Sequence, residues 1–187
     1  MGPAAADAQG QKRIDYLRGD NNDESQNLFF RDRTNVLGDI VHSNPVYVGK
    51  PQMSYPDADP FGTSTAGERY SDFKSTYPDR AGIIYVGAND GMLHGFYEED
   101  YTDAVTPANS HAGGDEAIAY VPNAVYSSAS GRGLHYLTDP AYSHRYYVDL
   151  SPTVADVYLD PPFTAAAWKT VLVGGLRAGG RGIFALD

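Results

Sequence analysis

Gly82-Ile83-Ile84-Tyr85-Val86-Gly87 is followed by Ala88-Asn89-Asp90-Gly91 and then by Met92-Leu93-His94-Gly95-Phe96-Tyr97. The outer runs are rich in β-branched and aromatic residues, which suit a pleated, half-buried strand. The middle run supplies Asn, Asp and Gly, the residues that tolerate positive φ. Together they predict a β-hairpin with a tight turn. Outward from this hairpin the same texture continues. Upstream, Asp39-Ile40-Val41-His42 and Pro45-Val46-Tyr47-Val48-Gly49 predict one strand broken at Pro45. Downstream, strands are predicted at 117–121, 144–149, 153–159, 168–174 and 181–187. Only 12–18 and 122–130 invite a helical reading, with Asp15-Tyr16-Leu17 opening a short helix or an extended arm. A polar arm at 1–35 therefore leads into a β-rich body at 36–187.

Composition agrees with this reading. Gly and Pro make up 32 of the 187 residues, and the acidic residues are 19 Asp against 5 Glu. Asp favours turns and caps, whereas Glu favours helices. The 15 tyrosines favour strands. The predicted class is all-β with many turns. A net charge of −10, from 14 Lys+Arg against 24 Asp+Glu, argues against nucleic acid and anionic membranes as partners. No run approaches the ~20 apolar residues of a membrane span. With no cysteine, disulfides, thiolate metal sites and a cysteine nucleophile are excluded. Two long polar stretches, 50–80 and 98–115, read as exposed loops that offer contact surface, as does 18–30.

Three features recur in order. Ser43-Asn44-Pro45-Val46 answers to Ser151-Pro152-Thr153-Val154, Tyr85-Val86-Gly87 to Leu172-Val173-Gly174, and Leu93-His94-Gly95-Phe96 to Ile183-Phe184-Ala185-Leu186. Units of about four antiparallel strands with variable insertions are what a β-propeller produces. An ordinary sandwich with similar hairpins is the competing architecture.

Three strings carry a specific resemblance: residues 37–45 (Leu-Gly-Asp-Ile-Val-His-Ser-Asn-Pro), residues 85–96 around the hairpin, and residues 168–187, from Trp168 through the Gly/Arg-rich 174–182 to Asp187. From about residue 12 onward the chain resembles the C-terminal, quinoprotein-like β-propeller of the PilC/PilY family of type IV pilus tip adhesins. The resemblance implies a non-catalytic module at the pilus tip, outside the cell on the fimbrium. It would support pilus biogenesis, oppose retraction and attach to host or abiotic surfaces. The implied partners are pilus tip minor pilins and a host integrin or other surface receptor. About two blades are present, so further blades or a second chain would complete the ring. The family's aspartate-rich calcium loop has no counterpart here, so calcium is an expectation for the full-length protein and no cofactor is expected in this segment. The rival reading is a fragment of a pyrroloquinoline quinone dehydrogenase. Against it, the adjacent cysteine pair over the quinone is absent and no Glu/Asn/Asp calcium cage is recognisable.

Arg18-Gly19-Asp20 is the most pointed short motif. A guanidinium and a carboxylate flank a residue without Cβ, a layout integrin-type receptors use by completing a metal site with the carboxylate and meeting the arginine with acidic groups. Some members of the resembled family carry this tripeptide near this place for receptor binding. Arg18, Gly19 and Asp20 are therefore the expected receptor-binding residues; the competing reading is a solvated turn. Asp20, Asn22 and Glu24 alternate like the start of a calcium loop, but the sixth position is not Gly and Arg31 stands where a bidentate Glu is required. His42, His94, His111, His135 and His144 show no metal spacing and read as hydrogen-bonded structural histidines. No Gly-x-Ser-x-Gly occurs, and 174–182 lacks the Gly-Lys-Ser/Thr of a phosphate loop and reads as a hairpin turn. Catalytic and metal-ligating residues are therefore not assigned. Tyr142, Tyr146 and Tyr147 read as core packing, and Tyr55, Tyr70 and Tyr77 in the 50–80 insertion as surface contact.

Overall fold

The computed structural model describes residues 3–24, 29–59, 61, 64–102, 106–159 and 166–187, without the side chains of 3–8 and 107. Two antiparallel sheets form the body. The first runs β1 (Val46–Val48), β2 (Ile83–Gly87), β3 (Leu93–Tyr97), β4 (Glu116–Tyr120) in simple succession. The second runs β5 (Thr153–Leu159), β6 (Ala167–Gly175), β7 (Ile183–Leu186). Each strand pairs with its sequence neighbour, the meander a propeller blade requires.

The quoted hairpin forms as predicted, with Ile83 opposite Tyr97 and Gly87 opposite Leu93. Its turn is closed by Ala88 N–H donating to Met92 O at 3.0 Å. Gly91 sits at φ +95°, and a Cβ there would lie 2.4 Å from Leu134 Cδ2. A larger residue there would strain the left-handed backbone and push Leu134 aside.

Alternation decides which face of each sheet is buried. On the first sheet Tyr85, Leu93 and Tyr120 point toward the second; on the second, Val154, Leu172, Phe184 and Leu186 point back. Val125, Leu134, Leu137, Tyr147, Val148 and Leu176 complete this core. The opposite face of the second sheet leaves Leu159, Val173 and Ile183 exposed. Apart from Thr153 and the Lys169–Asp187 ion pair that open face is aliphatic, as suits a sheet stacked in a series rather than in a two-layer sandwich.

Two predicted strands are absent. Residues 144–149 and 39–42 carry no strand structure. Both segments are irregular connectors with bends, 39–42 exposed and Tyr147–Asp149 buried, and their N–H groups go to side chains and turns rather than to a ladder. Tyr147 N–H donates to Asn89 Oδ1 (3.0 Å), Val148 N–H to Ala88 O (3.3 Å), His42 N–H to Asp149 Oδ1 (3.2 Å) and Asn44 N–H to the Ser151 hydroxyl (2.8 Å). Ser43 Oγ donates to Leu150 O at 3.2 Å. The segments that repeat in the sequence thus lie side by side in space at the seam between the sheets.

The reading of the 50–80 insertion is also corrected in part. It contains α2 (Tyr70–Thr76), and its aromatics cover the second sheet. Tyr70 is fully buried, its ring edge-on to Trp168 at 4.7 Å, while Tyr55 stacks on Trp168 at 5.3 Å. The Tyr70 hydroxyl meets the buried Asp156 carboxylate at 2.5 Å and accepts Met53 N–H at 2.9 Å. Burial, then the Asp156 carboxylate, holds the Tyr70 phenol well above its ordinary range. Tyr55 and Tyr70 are therefore packing residues; only Tyr77 of this trio remains exposed. In the other trio Tyr147 is buried and Tyr142 packs on the core, whereas Tyr146 is exposed.

At the N-terminus, α1 spans Pro3–Leu17, longer than predicted, so that Asp15-Tyr16-Leu17 closes the helix instead of opening it. Pro3 at the first helical position and Ala4-Ala5-Ala6 suit a helix start. Tyr16 anchors it: the ring is buried and the hydroxyl donates to Arg31 O at 3.1 Å. Arg13 donates to His135 O and to Thr138 Oγ1, tying α1 to the 3-10 turn Leu134–Thr138.

Candidate functional site

The Arg-Gly-Asp tripeptide lies at the C-terminus of α1. Gly19 N–H donates to Tyr16 O and Asp20 N–H to Asp15 O, both at 2.9 Å, with Gly19 at φ +105°. This is a Schellman motif, with glycine at the left-handed position. Arg18 and Asp20 are both exposed. Asp20 Oδ1 accepts Asn22 N–H at 2.8 Å and the Asn22 side-chain amide at 2.6 Å, so the carboxylate is oriented locally. Oδ2 accepts no hydrogen bond among the described residues.

A buried ion pair fixes this turn. Arg33 meets Glu24 at 2.6 Å, each side chain only 7% exposed. The Arg33 guanidinium lies over the Tyr16 ring, 3.6 Å from its centroid, and donates to Tyr16 O (2.7 Å) and Asp20 O (2.9 Å). One side chain thereby holds the carbonyls on both sides of Gly19. Sequence reasoning missed Arg33, in an unpatterned polar run, and weighed Glu24 only as part of a calcium-like alternation. Glu24's engagement with Arg33 also removes it from any calcium loop with Asp20 and Asn22. Residues 25–28 of the predicted 18–30 loop, 60, 62 and 63 of the 50–80 loop and 103–105 of the 98–115 loop lie outside the described residues.

Arg18 also borders a cleft of about 950 Å³ between α1 and the outer face of β3 and β4. Ile14, Leu17, Met92 and Phe96 make its apolar lining. On the sheet side His94 bridges two carboxylates, Nδ1 to Glu116 at 2.6 Å and Nε2 to Asp90 at 3.0 Å. Burial pulls the imidazole pKa down, but the hydrogen bonds and charges of Asp90 and Glu116 outweigh it and raise it above 6.5. Asp90 Oδ2 additionally accepts Gly38 N–H at 2.7 Å.

Two further histidines pair with carboxylates, as expected of structural histidines: His42 Nδ1 with Asp149 (2.8 Å) and His144 Nε2 with Asp39 (2.8 Å). Burial opposes ionisation of Asp39, yet hydrogen bonds from Asn89 and His144 set its pKa below the ordinary value. The buried Asn89 connects these parts. It donates to Asp39 through N–H (3.0 Å) and Nδ2 (3.1 Å) while accepting Tyr147 N–H. In the sequence Asn89 signalled only a turn. The 174–182 run forms the predicted connection between β6 and β7, closed by Leu176 N–H to Gly182 O at 3.0 Å around the 3-10 turn Arg177–Gly179.

Stacked antiparallel meanders with repeated connectors define a segment of a β-propeller, carrying an exposed Arg-Gly-Asp turn. The family model of the PilY1 beta-propeller domain matches residues 37–187, and the chain belongs to that family. It is 43% identical over 185 residues to the type IV pilus biogenesis factor PilY1 of Pseudomonas aeruginosa strain PAK, covering 97% of this chain and 14% of that protein. Identity is 41% over 189 residues to a type IV pilus biogenesis factor PilY1 homolog of Xylella fastidiosa strain Temecula1, covering 100% of this chain and 13% of that protein. The chain thus spans about one seventh of the curated relatives it matches. No solved structure matches it. Among the described residues no helix is long and apolar enough to cross a membrane.

Proposed function

We propose that this chain is a non-catalytic propeller segment of a type IV pilus tip adhesin and biogenesis factor, and that Arg18, Gly19 and Asp20 are its receptor-binding residues. One observation carries the receptor reading: the tripeptide is an exposed turn whose backbone is set by a Schellman motif and clamped by buried Arg33. A receptor then meets a pre-ordered turn and loses little conformational entropy on binding. Asp20 Oδ2 supplies the carboxylate oxygen for a receptor-held divalent cation. The relatives are type IV pilus biogenesis factors by name, which favours the pilus over quinone chemistry. In this reading the protein sits on the fimbrium outside the cell, contacts minor pilins, supports extension against retraction and binds host or abiotic surfaces. Calcium belongs to the full-length protein.

The test compares parent, Asp20→Ala and Asp20→Glu for attachment to integrin-coated surfaces in the presence of divalent cation. Both variants are expected to lose attachment while keeping the parent's thermal unfolding midpoint. Equal attachment by all three removes the Arg-Gly-Asp assignment.

A further inference from the structure

A second concave site, of about 660 Å³, lies at the end of the first sheet opposite the 88–92 turn. It forms where β1 ends, β2 begins and β3 ends, with Glu98, Glu99, Tyr101, Asn109 and His111 in its wall. Its lining includes the rings of Tyr47, Tyr97, Tyr101 and His111 and the carboxylates of Asp79, Glu98 and Glu99. Tyr47 and Tyr101 are 53% and 50% exposed. The His111 ring lies on Tyr97, centroids 3.4 Å apart and planes within 6°, and also stacks with Tyr101 at 5.5 Å. A two-way backbone bridge fixes this stack: Tyr101 N–H donates to His111 O at 2.9 Å and His111 N–H to Tyr101 O at 3.0 Å. Tyr47 donates to Glu98 Oε1 at 2.9 Å. This pair lies so close to the backbone that a Cβ on Gly49 would come 2.3 Å from the Tyr47 oxygen, and one on Gly82 as close to the Glu98 carboxylate.

Two features are unexplained by folding alone. Half-exposed tyrosines on a rigid floor gain little stability where they stand, yet present stiff apolar faces with a polar end. Among the described residues His111 Nδ1 is buried without a hydrogen-bond partner, although buried polar atoms are nearly always satisfied. We infer that this cleft binds an uncharged oligosaccharide: pyranose C–H faces lie on Tyr47 and Tyr101, and sugar hydroxyls bond the Glu98 and Glu99 carboxylates. Such a ligand is amphipathic in the same way as the lining. The charge balance selects against polyanionic sugars. Arg80 is engaged with Gly49 O and Thr170 Oγ1, both at 2.8 Å. That leaves Lys50 against Asp79, Glu98 and Glu99 in the cleft wall. The site is separate from the Arg-Gly-Asp turn and does not depend on it.

Saturation-transfer NMR on the 187-residue chain tests this with chitotriose, maltotriose and a sulfated heparin tetrasaccharide at millimolar concentration. Transfer is expected to the ring C–H protons of at least one neutral trisaccharide and not to the heparin fragment. Tyr101→Ala and Tyr47→Ala each weaken that binding by roughly two- to tenfold, while Tyr101→Phe retains it. A dispersed amide spectrum for each variant confirms folding. Transfer to the heparin fragment alone, to none of the three, or unchanged in both alanine variants overturns the proposal. An integrin assay reads none of these outcomes, so this site and the Arg-Gly-Asp turn stand or fall separately.

Discussion

At Gly19 one residue serves structure and proposed recognition together. Its φ of +105° is left-handed, and a Cβ would press on Val36 Cγ1 at 3.0 Å. Gly19→Ala is expected to cost roughly 1–2 kcal/mol from the conformation alone, read as a lower midpoint in urea, and to loosen the turn that presents Arg18 and Asp20. His94 sets a pH dependence. Its folded pKa is raised above the ordinary imidazole value of 6.5, so its contribution to stability is complete below that value and is lost as pH rises through the folded pKa. Stability of the parent is expected to fall from about pH 6.5 upward, and His94→Gln to flatten that decline. Identical pH–stability curves for the two proteins would refute this role.

At the scale of elements, two buried polar contacts attach local structure to the body. Arg33 and Glu24 join the end of α1 to the segment after it. Removing one partner leaves the other charge buried and unpaired, so Arg33→Ala is expected to destabilise by about 3–5 kcal/mol. The Arg33→Met/Glu24→Leu double variant is expected to recover much of that loss, because it removes both charges together. Both are measurable by urea unfolding in a double-mutant cycle. The second contact fastens α2 to the second sheet. Tyr70→Phe removes the hydroxyl that caps Asp156 and accepts Met53 N–H. Leaving those groups unsatisfied is expected to cost about 1–3 kcal/mol. The loss would appear as faster amide exchange in β5 and β6; unchanged exchange would mean that α2 is not fastened there.

Across the whole molecule, the unusual property is a second sheet with two apolar faces, one in the core and one open. Val173 is 39% and Ile183 80% exposed on the open face. Exposed aliphatic sheet surface drives association. The chain is expected to self-associate with rising concentration, and Val173→Lys with Ile183→Lys to shift it toward monomer in sedimentation. A parent that stays monomeric at every concentration would show that this face needs no neighbour. The same two-faced pattern separates a propeller from a sandwich, which buries only one face of each sheet.

The strands that became blades were visible in the residues because hairpin pairing is local. β-rich runs flank a Gly-containing turn, and period-two alternation needs nothing distant to be seen. The repeat from 43–46 to 151–154 and the tripeptide at 18–20 were equally local. The connectors at 39–42 and 144–149 look like strands in composition, yet their partners are a side-chain amide, a carboxylate and a serine hydroxyl located a hundred or so residues along the chain or across the seam. The packing of Tyr55 and Tyr70 on Trp168, the Arg33 clamp beneath Arg-Gly-Asp and the His94 bridge have the same origin. Each is a contact between elements that only the assembled fold brings within hydrogen-bonding or van der Waals range. Local chain chemistry therefore determined the strands, turns and candidate motif; long-range burial decided which of those residues became supports and which stayed free to meet a partner.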